Sequence, residues 1–461
     1  MKFTNPLPQF KKCIIFFSVG ISCSILACLL RTINPMKLIL DQELRMTPNS
    51  LIFELWRKPI FDVYMKVYIF NITNAEEFLE GGVKLKVEEV GPYVYQEILE
   101  NTNVTWHENS TISFVPKRKI VYVPELSIGN PEVDTVFAPN IPMLMYDEGN
   151  NVVLMNIGHN ENMTEEEGRY LSIQLYNGSP GMSQWGYQED NGNETYPEKT
   201  ICNLIRGSTE GELFPAYLDK RAVFRIFRKA FCRTIPIVFK EEVVAENGLG
   251  GYLYSMSDNF LDTPDENPDN TCYCKKKGKC LKKGLSDMTP CYYSIPAAMS
   301  LPHFLHADPS LRENIEGINP DPEKHITKVI LEPTIGFPMK VNSKVQINLV
   351  MHPVQYNSQI EIFNNLVIPL FWSDLVIPQV PSNLLFLVRL LLQVGPIMQE
   401  VLIWLLAIAG VTMFVLLITT LWTTKQQQQS LPVDRRDSYD LRVPLHYGQY
   451  TTIQILSAIK N

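Results

Sequence analysis

The run Val401–Trp422, VLIWLLAIAGVTMFVLLITTLW, contains 22 consecutive residues without a charge. A second run, Cys13–Leu30 with the sequence CIIFFSVGISCSILACLL, contains 18. At a rise of about 1.5 Å per residue, a helix of either length crosses about 30 Å of hydrocarbon. We therefore predict one transmembrane helix near each end of the 461-residue chain.

The first apolar run has an alternative interpretation as the apolar core of a cleaved signal peptide, because Lys11 and Lys12 precede it. It is longer than the usual apolar core, Arg31 follows it, and it lacks a clear small-x-small cleavage site. These features favour an uncleaved signal anchor.

Basic residues flank each apolar run on the side away from the centre of the chain. They are Lys2, Lys11 and Lys12 before the first run, and Lys425, Arg435, Arg436 and Arg442 after the second. The positive-inside rule then places both tails in the cytosol. The predicted segments are a cytosolic tail 1–12, a span 13–30, an exoplasmic domain 31–400, a span 401–422 and a cytosolic tail 423–461.

Glycosylation signals and cysteines agree with an exoplasmic domain. All N-x-S/T sequons lie between the spans, at Asn71, Asn103, Asn109, Asn162, Asn177 and Asn193. Six of the nine cysteines lie there too: Cys202, Cys232, Cys272, Cys274, Cys280 and Cys291. An even number in an oxidising compartment predicts disulfides without fixing their pairing. A zinc site at Cys272, Cys274 and Cys280 is the alternative, which that compartment disfavours.

The exoplasmic segment consists mainly of predicted strands. The runs rich in β-branched and aromatic residues are Val63–Asn71, Val83–Val90, Lys119–Val123, Val152–Ile157, Ile235–Phe239 and Lys344–Met351. The chain's 32 prolines and 24 glycines punctuate them, with no low-complexity linker. We predict a single large α+β domain.

Two segments have helical periodicity. Ala216–Phe231 follows Pro215, and its apolar side chains share one face of a helix. The other face carries the cations Arg221, Arg225, Arg228 and Lys229. Asn383–Gln393 is too short for a third span and carries Arg389, which favours a helix on the membrane surface.

No catalytic constellation stands out. The chain has no phosphate loop, no G-x-S-x-G elbow and no H-E-x-x-H motif, and its net charge of −8 argues against a nucleic-acid partner. His303 and His306 could touch one metal, but without a third ligand nearby in sequence a structural role is favoured. We predict no enzyme activity, no cofactor and no metal.

Four strings of residues resemble the class B scavenger receptor family. They are GPYVY at 91–95, YNGSPG at 176–181, NPDN at 267–270 and SLPHF at 300–304. Their order, with the cysteine spacing, extends the resemblance over about Lys11–Lys425. It implies an antiparallel β-barrel-like ectodomain with decorating helices and an apolar tunnel. It also implies the disulfides Cys202–Cys272, Cys232–Cys291 and Cys274–Cys280.

The chain departs from the family pattern after Pro142, where a helical stretch of the membrane-distal head is missing. In the family pattern Ala216–Phe231 resembles the remaining helix of that head. Exposing its apolar face would cost about 10 kcal/mol. We therefore expect a splice form or incomplete gene model, or else recovery of that face in a homo-oligomer.

The resemblance implies a receptor at the plasma membrane or in endosomes and lysosomes. Its partners would be lipids, lipoproteins or other anionic lipid-bearing ligands, captured by the cationic face of 216–231. Alternatively, that face is an ordinary solvated surface. The same two interpretations apply to the lysine patch at 275–277, 279, 282 and 283. Cys13 is a candidate for palmitoylation, and Tyr450 with Ile453 for a sorting signal.

Two other functions fit the same topology. One is a trafficking receptor for a lysosomal hydrolase, which would need an intact head and a cytosolic sorting signal. The other is a subunit of a trimeric ligand-gated channel, which the uncharged spans disfavour.

Overall fold

A computed structural model describes residues 7–139, 151–158, 169–182, 204–231, 233–245, 248–274, 280–292, 295–353, 361–378 and 380–429. Its contacts divide the chain into two units, one formed by Met1–Ile33 with Glu400–Asn461 and the other by Asn34–Gln399. The described helices are α1 (Leu7–Ile33), α2 (Pro35–Glu43), α3 (Leu51–Arg57), α4 (Ala75–Glu80), α5 (Pro322–His325), α6 (Ser382–Arg389) and α7 (Gly395–Gln429).

The two predicted apolar helices are present as α1 and α7, and both are long and apolar enough to cross a membrane. They lie against each other in opposite directions. Arg31 Nη1 is 3.4 Å from Glu400 Oε2 near one end, and Thr424 Oγ1 donates to Gln9 Oε1 at 3.4 Å near the other. Between these contacts the two helices approach closely at Gly410, where a Cβ would lie 2.8 Å from Ser24 Oγ and 3.3 Å from the Gly20 carbonyl oxygen.

The other unit is built on one mainly antiparallel sheet. Its strands are β1 (Val63–Ile72), β2 (Leu85–His107), β3 (Thr111–Tyr122), β4 (Val153–Asn156), β5 (Ile173–Tyr176), β6 (Phe224–Arg228), β7 (Arg233–Val244), β8 (Gly250–Met256), β9 (Ser286–Asp287), β10 (Ala297–Ser300), β11 (Ile315–Glu316), β12 (Lys328–Leu331), β13 (Pro338–Val350) and β14 (Val367–Ile377). The six predicted β-runs coincide with parts of β1, β2, β3, β4, β7 and β13. The α+β class is therefore confirmed.

The main strand order is β5-β4-β3-β2-β1-β14-β13-β12-β8-β7-β6, and β9 and β10 extend the sheet from β13. Among the described residues, β5 and β6 do not pair with each other, so the sheet is not closed by strands and the barrel stays a prediction. The segment 207–209 lies between them, however. The Gly207 N–H donates to Ile173 of β5 at 2.9 Å, and Thr209 donates to Arg225 of β6 at 2.8 Å.

The predicted helix Ala216–Phe231 is wrong. Its last part is β6, which pairs with β7, followed by a 3-10 turn at Lys229–Phe231. Phe224 and Phe227 are both buried but join different core clusters, which shows that both faces of β6 are covered. A strand buried on both faces loses the alternation of period two, and its apolar residues then imitate helical spacing.

This correction weakens the energetic argument for a missing partner, because Phe224 and Phe227 are already buried in the sheet, whereas Phe231 is half-buried and Tyr217 is 54% exposed. Whether family helices are missing after Pro142 remains a prediction, since residues 140–150 lie outside the described ranges.

Helices α2, α3 and α6 contribute to one large core cluster together with β3, β4 and β5. Leu40, Trp56 and Leu384 represent the three helices in it. The helical prediction for Asn383–Gln393 is confirmed by α6 and the π-turn Leu390–Val394 that follows it. Leu384 is buried whereas Phe386 is 67% exposed. A position on the membrane surface stays a prediction.

Candidate functional site

The four predicted ligand-binding cations do not share one face. Arg225 and Arg228 lie three positions apart on β6, a spacing that places side chains on opposite faces of a strand. Arg221 precedes β6 and contacts Asp219 with 2.9 Å between Nη2 and Oδ2, while Lys229 begins the 3-10 turn. The continuous cationic face expected for a helix is therefore absent from this segment.

The structure instead collects four charged residues inside the sheet. Arg118 of β3 lies 3.1 Å from a carboxylate oxygen of Glu97 on β2, 3.4 Å from one of Glu210 and 3.5 Å from one of Glu212. Asn101 donates from Nδ2 to Glu212 Oε2 at 3.3 Å and to the Trp56 carbonyl at 2.8 Å. We call these charged residues the Arg118 cluster; it ties the segment after 207–209 to β2 and β3.

An apolar wall adjoins the Arg118 cluster. Glu210 and Glu212 line a small cavity with Trp56, Phe114, Met155, Leu171, Ile173, Thr209 and Leu213. Its volume is about 10 Å³, which is close to the minimum for one water molecule and far below that of an acyl chain. The cavity lies at the edge of the apolar core, and the predicted tunnel is not confirmed.

One guanidinium cannot balance three carboxylates, and the excess negative charge is buried. Burial, followed by repulsion from Glu210, raises the pKa of the Glu212 carboxyl to about 7, although Arg118 opposes the shift. Burial also raises the pKa of Glu210. The folded protein therefore takes up a proton at this cluster near neutral pH.

A second cluster surrounds Glu89 of β2. Its Oε2 accepts from His303 Nε2 and from Trp372 Nε1 at 2.8 Å each, and its Oε1 lies 3.2 Å from Lys324 Nζ. Burial alone would raise the pKa of Glu89, but the two hydrogen bonds and the Lys324 charge lower it to about 2. With His325, these residues form what we call the Glu89 cluster.

His325 stacks on His303 with 4.5 Å between ring centroids and is 1% exposed. Burial, together with the proximity of His303 and Lys324, lowers the pKa of His325 to about 4. The ring is therefore neutral across the physiological range of pH.

The side chains of Glu89, His303 and His325 lie close enough together to hold a metal ion, but their hydrogen bonds do not suit one. Backbone N–H groups of Asn319 and Asp321 donate to Nδ1 of His303 and His325, each at 3.0 Å. Each neutral ring then carries its proton on Nε2, the atom that a metal would need. The cluster suits a structural role.

The structural role predicted for His303 agrees with these contacts, but its neighbours were not predicted. His306 is exposed and takes no part. Glu89 is separated from His303 by 214 positions, and no local pattern links the two. The string SLPHF and the spacing of His303 and His306 selected one member of the cluster, His303, and no sequence signal selected Glu89 or His325.

Three of the predicted glycosylation sites, Asn103, Asn109 and Asn177, are exposed. Asn71 is half-buried and its Oδ1 accepts from the Phe137 N–H at 2.8 Å. Asn162 and Asn193 lie outside the described residues. Glycan attachment stays a prediction at all six positions.

The structure contains a disulfide between Cys274 and Cys280, with 4.6 Å between their Cα atoms. The other two predicted disulfides, Cys202–Cys272 and Cys232–Cys291, each include a cysteine outside the described residues and stay predictions. Cys13 on α1 is not disulfide-bonded, as palmitoylation requires. Tyr450 and Ile453 lie outside the described residues.

The lysine patch is described only at Lys282 and Lys283. Lys282 Nζ donates to Ser310 Oγ at 2.7 Å, and Lys283 lies 2.5 Å from Glu266 and 3.3 Å from Asp262. The lysines at 275–277 and 279 lie outside the described ranges.

The chain is similar in sequence to several known proteins over most of its length. The chain is 27% identical over 414 residues to Scavenger receptor class B member 1 of Cricetulus griseus, covering 77% of this chain and 79% of that protein. It is 28% identical over 357 residues to human Lysosome membrane protein 2, covering 67% and 73%. Protein peste of Drosophila melanogaster is 28% identical over 388 residues, covering 72% and 69%.

The model of the CD36 family matches residues 13–166 and 150–421. These two matches together run from within α1 to within α7, and they include both buried charge clusters. The chain is therefore a member of the CD36 family, the class B scavenger receptors.

Proposed function

We propose that this protein is a scavenger receptor that binds lipids, lipoproteins or other anionic lipid-bearing ligands and mediates their uptake or transfer to the membrane. The observation that carries the proposal is the family match across 13–421, which includes both apolar helices and the whole domain between them. The family consists of receptors, and the proposed transfer is binding and release of lipid without bond chemistry.

The apolar interior supports a route for lipid. The core cluster next to the Arg118 cluster extends from Phe114 and Ile173 of the sheet to Leu384 of α6, just before the second apolar helix. Each buried methylene of an acyl chain contributes about 0.8 kcal/mol, so about a dozen of them supply close to 10 kcal/mol before ordering costs. The cavity of about 10 Å³ implies that side chains must move to admit a chain.

The proposed topology places both tails in the cytosol and the Asn34–Gln399 unit outside it, at the plasma membrane or in endosomes and lysosomes. The basic residues flanking the apolar runs and the exposed sequons support this orientation. Terminal epitopes reached only after permeabilisation, together with a mass shift on glycan removal, would establish it. Surface biotinylation would separate the two locations.

Transfer is tested with lipoprotein particles that carry one label on an apolar lipid and another on protein. Cells that express the full chain are expected to accumulate more lipid label than protein label. Leu213 lines the cavity and is 5% exposed, whereas Val244 is 77% exposed. Leu213→Trp should therefore lower lipid transfer several-fold at an unchanged level of bound particle, and Val244→Trp should not.

Two results would contradict different parts of the proposal. Normal surface levels without particle binding would contradict the receptor function. Undiminished lipid transfer by a surface-exposed Leu213→Trp protein would leave the receptor intact and exclude this part of the interior as the route.

A further inference from the structure

Arg233, the first residue of β7, is a buried cation that forms no ion pair with any described residue. The residue is 5% exposed. Its Nη1 donates to Ser286 Oγ at 3.1 Å, and its Nη2 donates to the Phe260 carbonyl at 3.0 Å and to Asn270 Oδ1 at 3.3 Å. The guanidinium carbon lies 4.0 Å from the centre of the Tyr273 ring. All these partners are uncharged.

No carboxylate within the described ranges lies at ion-pair distance from this guanidinium, and its Nε has no acceptor there. A buried charge without a counter-charge costs several kcal/mol in general, and an unsatisfied N–H adds to that cost. Among the described residues, Arg233 Nε is therefore a buried donor without an acceptor.

A cavity of about 30 Å³ adjoins Arg233. Asn270, Ser286, Lys282 and both cysteines of the disulfide Cys274–Cys280 line it as well. This volume exceeds the roughly 10 to 15 Å³ that one water molecule needs, yet it is too small for a lipid headgroup. It suits one compact ion.

Two acids also line the cavity, but each has its own partner. Asp262 lies 3.3 Å from Lys283 Nζ, and Asp287 Oδ1 accepts from the Thr289 N–H at 2.9 Å. Lys282, which donates to Ser310, brings a second cation to the wall. Among the side chains that line the cavity, the cations Arg233 and Lys282 are therefore matched in number by the anions Asp262 and Asp287, but no described carboxylate forms an ion pair with Arg233 itself.

The sequence next to the cavity is strongly basic. The five residues enclosed by Cys274 and Cys280 are KKKGK, and two further lysines follow at 282 and 283. Cations outnumber acids in this stretch, and a local excess of one sign raises the concentration of the opposite ion.

We propose that this cavity binds one compact inorganic anion of the size of chloride, with Arg233 Nε as its main donor. The anion neutralises the buried guanidinium and joins β7 to the disulfide-bonded segment. This site is separate from the proposed lipid route, and it does not depend on the receptor function.

The test uses the full chain in detergent at constant ionic strength, with sodium gluconate replaced stepwise by sodium chloride or bromide. Binding to the folded state raises the unfolding temperature by mass action, and a saturable rise of about 2 °C or more is expected. Arg233→Gln should abolish the halide dependence. Lys240→Gln, which removes a cation of the same strand bonded to Asp258, should retain it.

A chlorine NMR measurement on the unaltered protein covers the case in which Arg233→Gln does not fold. Bound chloride exchanging with solvent broadens the chloride signal, and competition by bromide should reverse the broadening. Equal unfolding temperatures in gluconate and halide, together with no reversible broadening, would overturn the proposal and assign the cavity to water. An unchanged halide effect in a folded Arg233→Gln protein would overturn it as well.

Discussion

Arg118 and Glu89 each lie at the centre of a buried charge cluster, and the balance of charge around them differs. Arg118 faces three carboxylates, whereas Glu89 accepts from His303 and Trp372 and lies beside Lys324. In the Arg118 cluster the excess of carboxylates favours protonation of a carboxyl group. In the Glu89 cluster the hydrogen-bond donors and the Lys324 charge oppose protonation of Glu89. Two regions of one domain are therefore expected to respond to acid in opposite directions.

The direction follows from the pKa of each group in the folded and unfolded chain. The pKa of Glu212 is raised from 4.5 to about 7, so its contribution to stability is present in acid and is lost as the pH rises through 7. The pKa of His325 is lowered from 6.5 to about 4, so its contribution is present above pH 6.5 and is lost as the pH falls towards 4.

The largest expected effect comes from removing the acceptor of the Glu89 cluster. Glu89→Gln removes the anion beside Lys324 and replaces the charged acceptor of the His303 and Trp372 hydrogen bonds with a neutral amide oxygen. We expect the free energy of unfolding to fall by about 3 kcal/mol at pH 7, the amount that corresponds to the lowering of the Glu89 pKa from 4.5 to about 2. Chemical denaturation would measure the loss, and Glu88→Gln at the exposed neighbouring position is the control. Equal losses of stability for Glu89→Gln and Glu88→Gln would show that the contacts of Glu89 do not stabilise the fold.

Glu212→Gln should remove the alkaline sensitivity of the Arg118 cluster. In the unaltered protein this carboxyl lowers the free energy of unfolding by about 2 to 3 kcal/mol between pH 5 and pH 8. The variant should lose that part of the pH dependence, and Glu125→Gln at an exposed position should keep it. Denaturation curves at both pH values provide the measurement. A Glu212→Gln variant that is as sensitive to alkali as the original would place the proton elsewhere.

His325→Asn should act in the opposite pH range. An asparagine oxygen can accept the Asp321 N–H as Nδ1 does, but it cannot take up a proton. The loss of about 2 kcal/mol expected between pH 7 and pH 5 should disappear in the variant. Exposed His306→Asn is the control, measured by the same denaturation series. Persistent acid sensitivity would show that another group titrates.

The smallest effect is expected at Arg221, whose side chain is 90% exposed while it contacts Asp219. Solvent screens such a pair, so Arg221→Gln should leave the unfolding midpoint unchanged within error. Thermal unfolding at low and high salt checks this. A clear loss of stability would mean that pairing, rather than burial, sets the strength of the two clusters.

Local sequence predicted those parts of the fold whose signal is a sum over neighbouring residues. The two apolar helices and the strands β1 and β13 belong to this group, since their patterns depend only on residues close in sequence. The structure of segment 216–231 was predicted wrongly, because β6 is buried on both faces and its apolar residues therefore have the spacing of a helix.

The sequence by itself determined that the chain has an apolar helix near each end and a β-rich domain between them, because hydrophobicity and β-propensity add up locally. The pairing of Cys274 with Cys280 was implied by the family resemblance and not by the local sequence. Only the tertiary structure decided which charges meet. Strand pairing brings Glu89 to His303 and Arg118 to Glu212, residues distant in sequence, and burial then sets their pKa values in opposite directions.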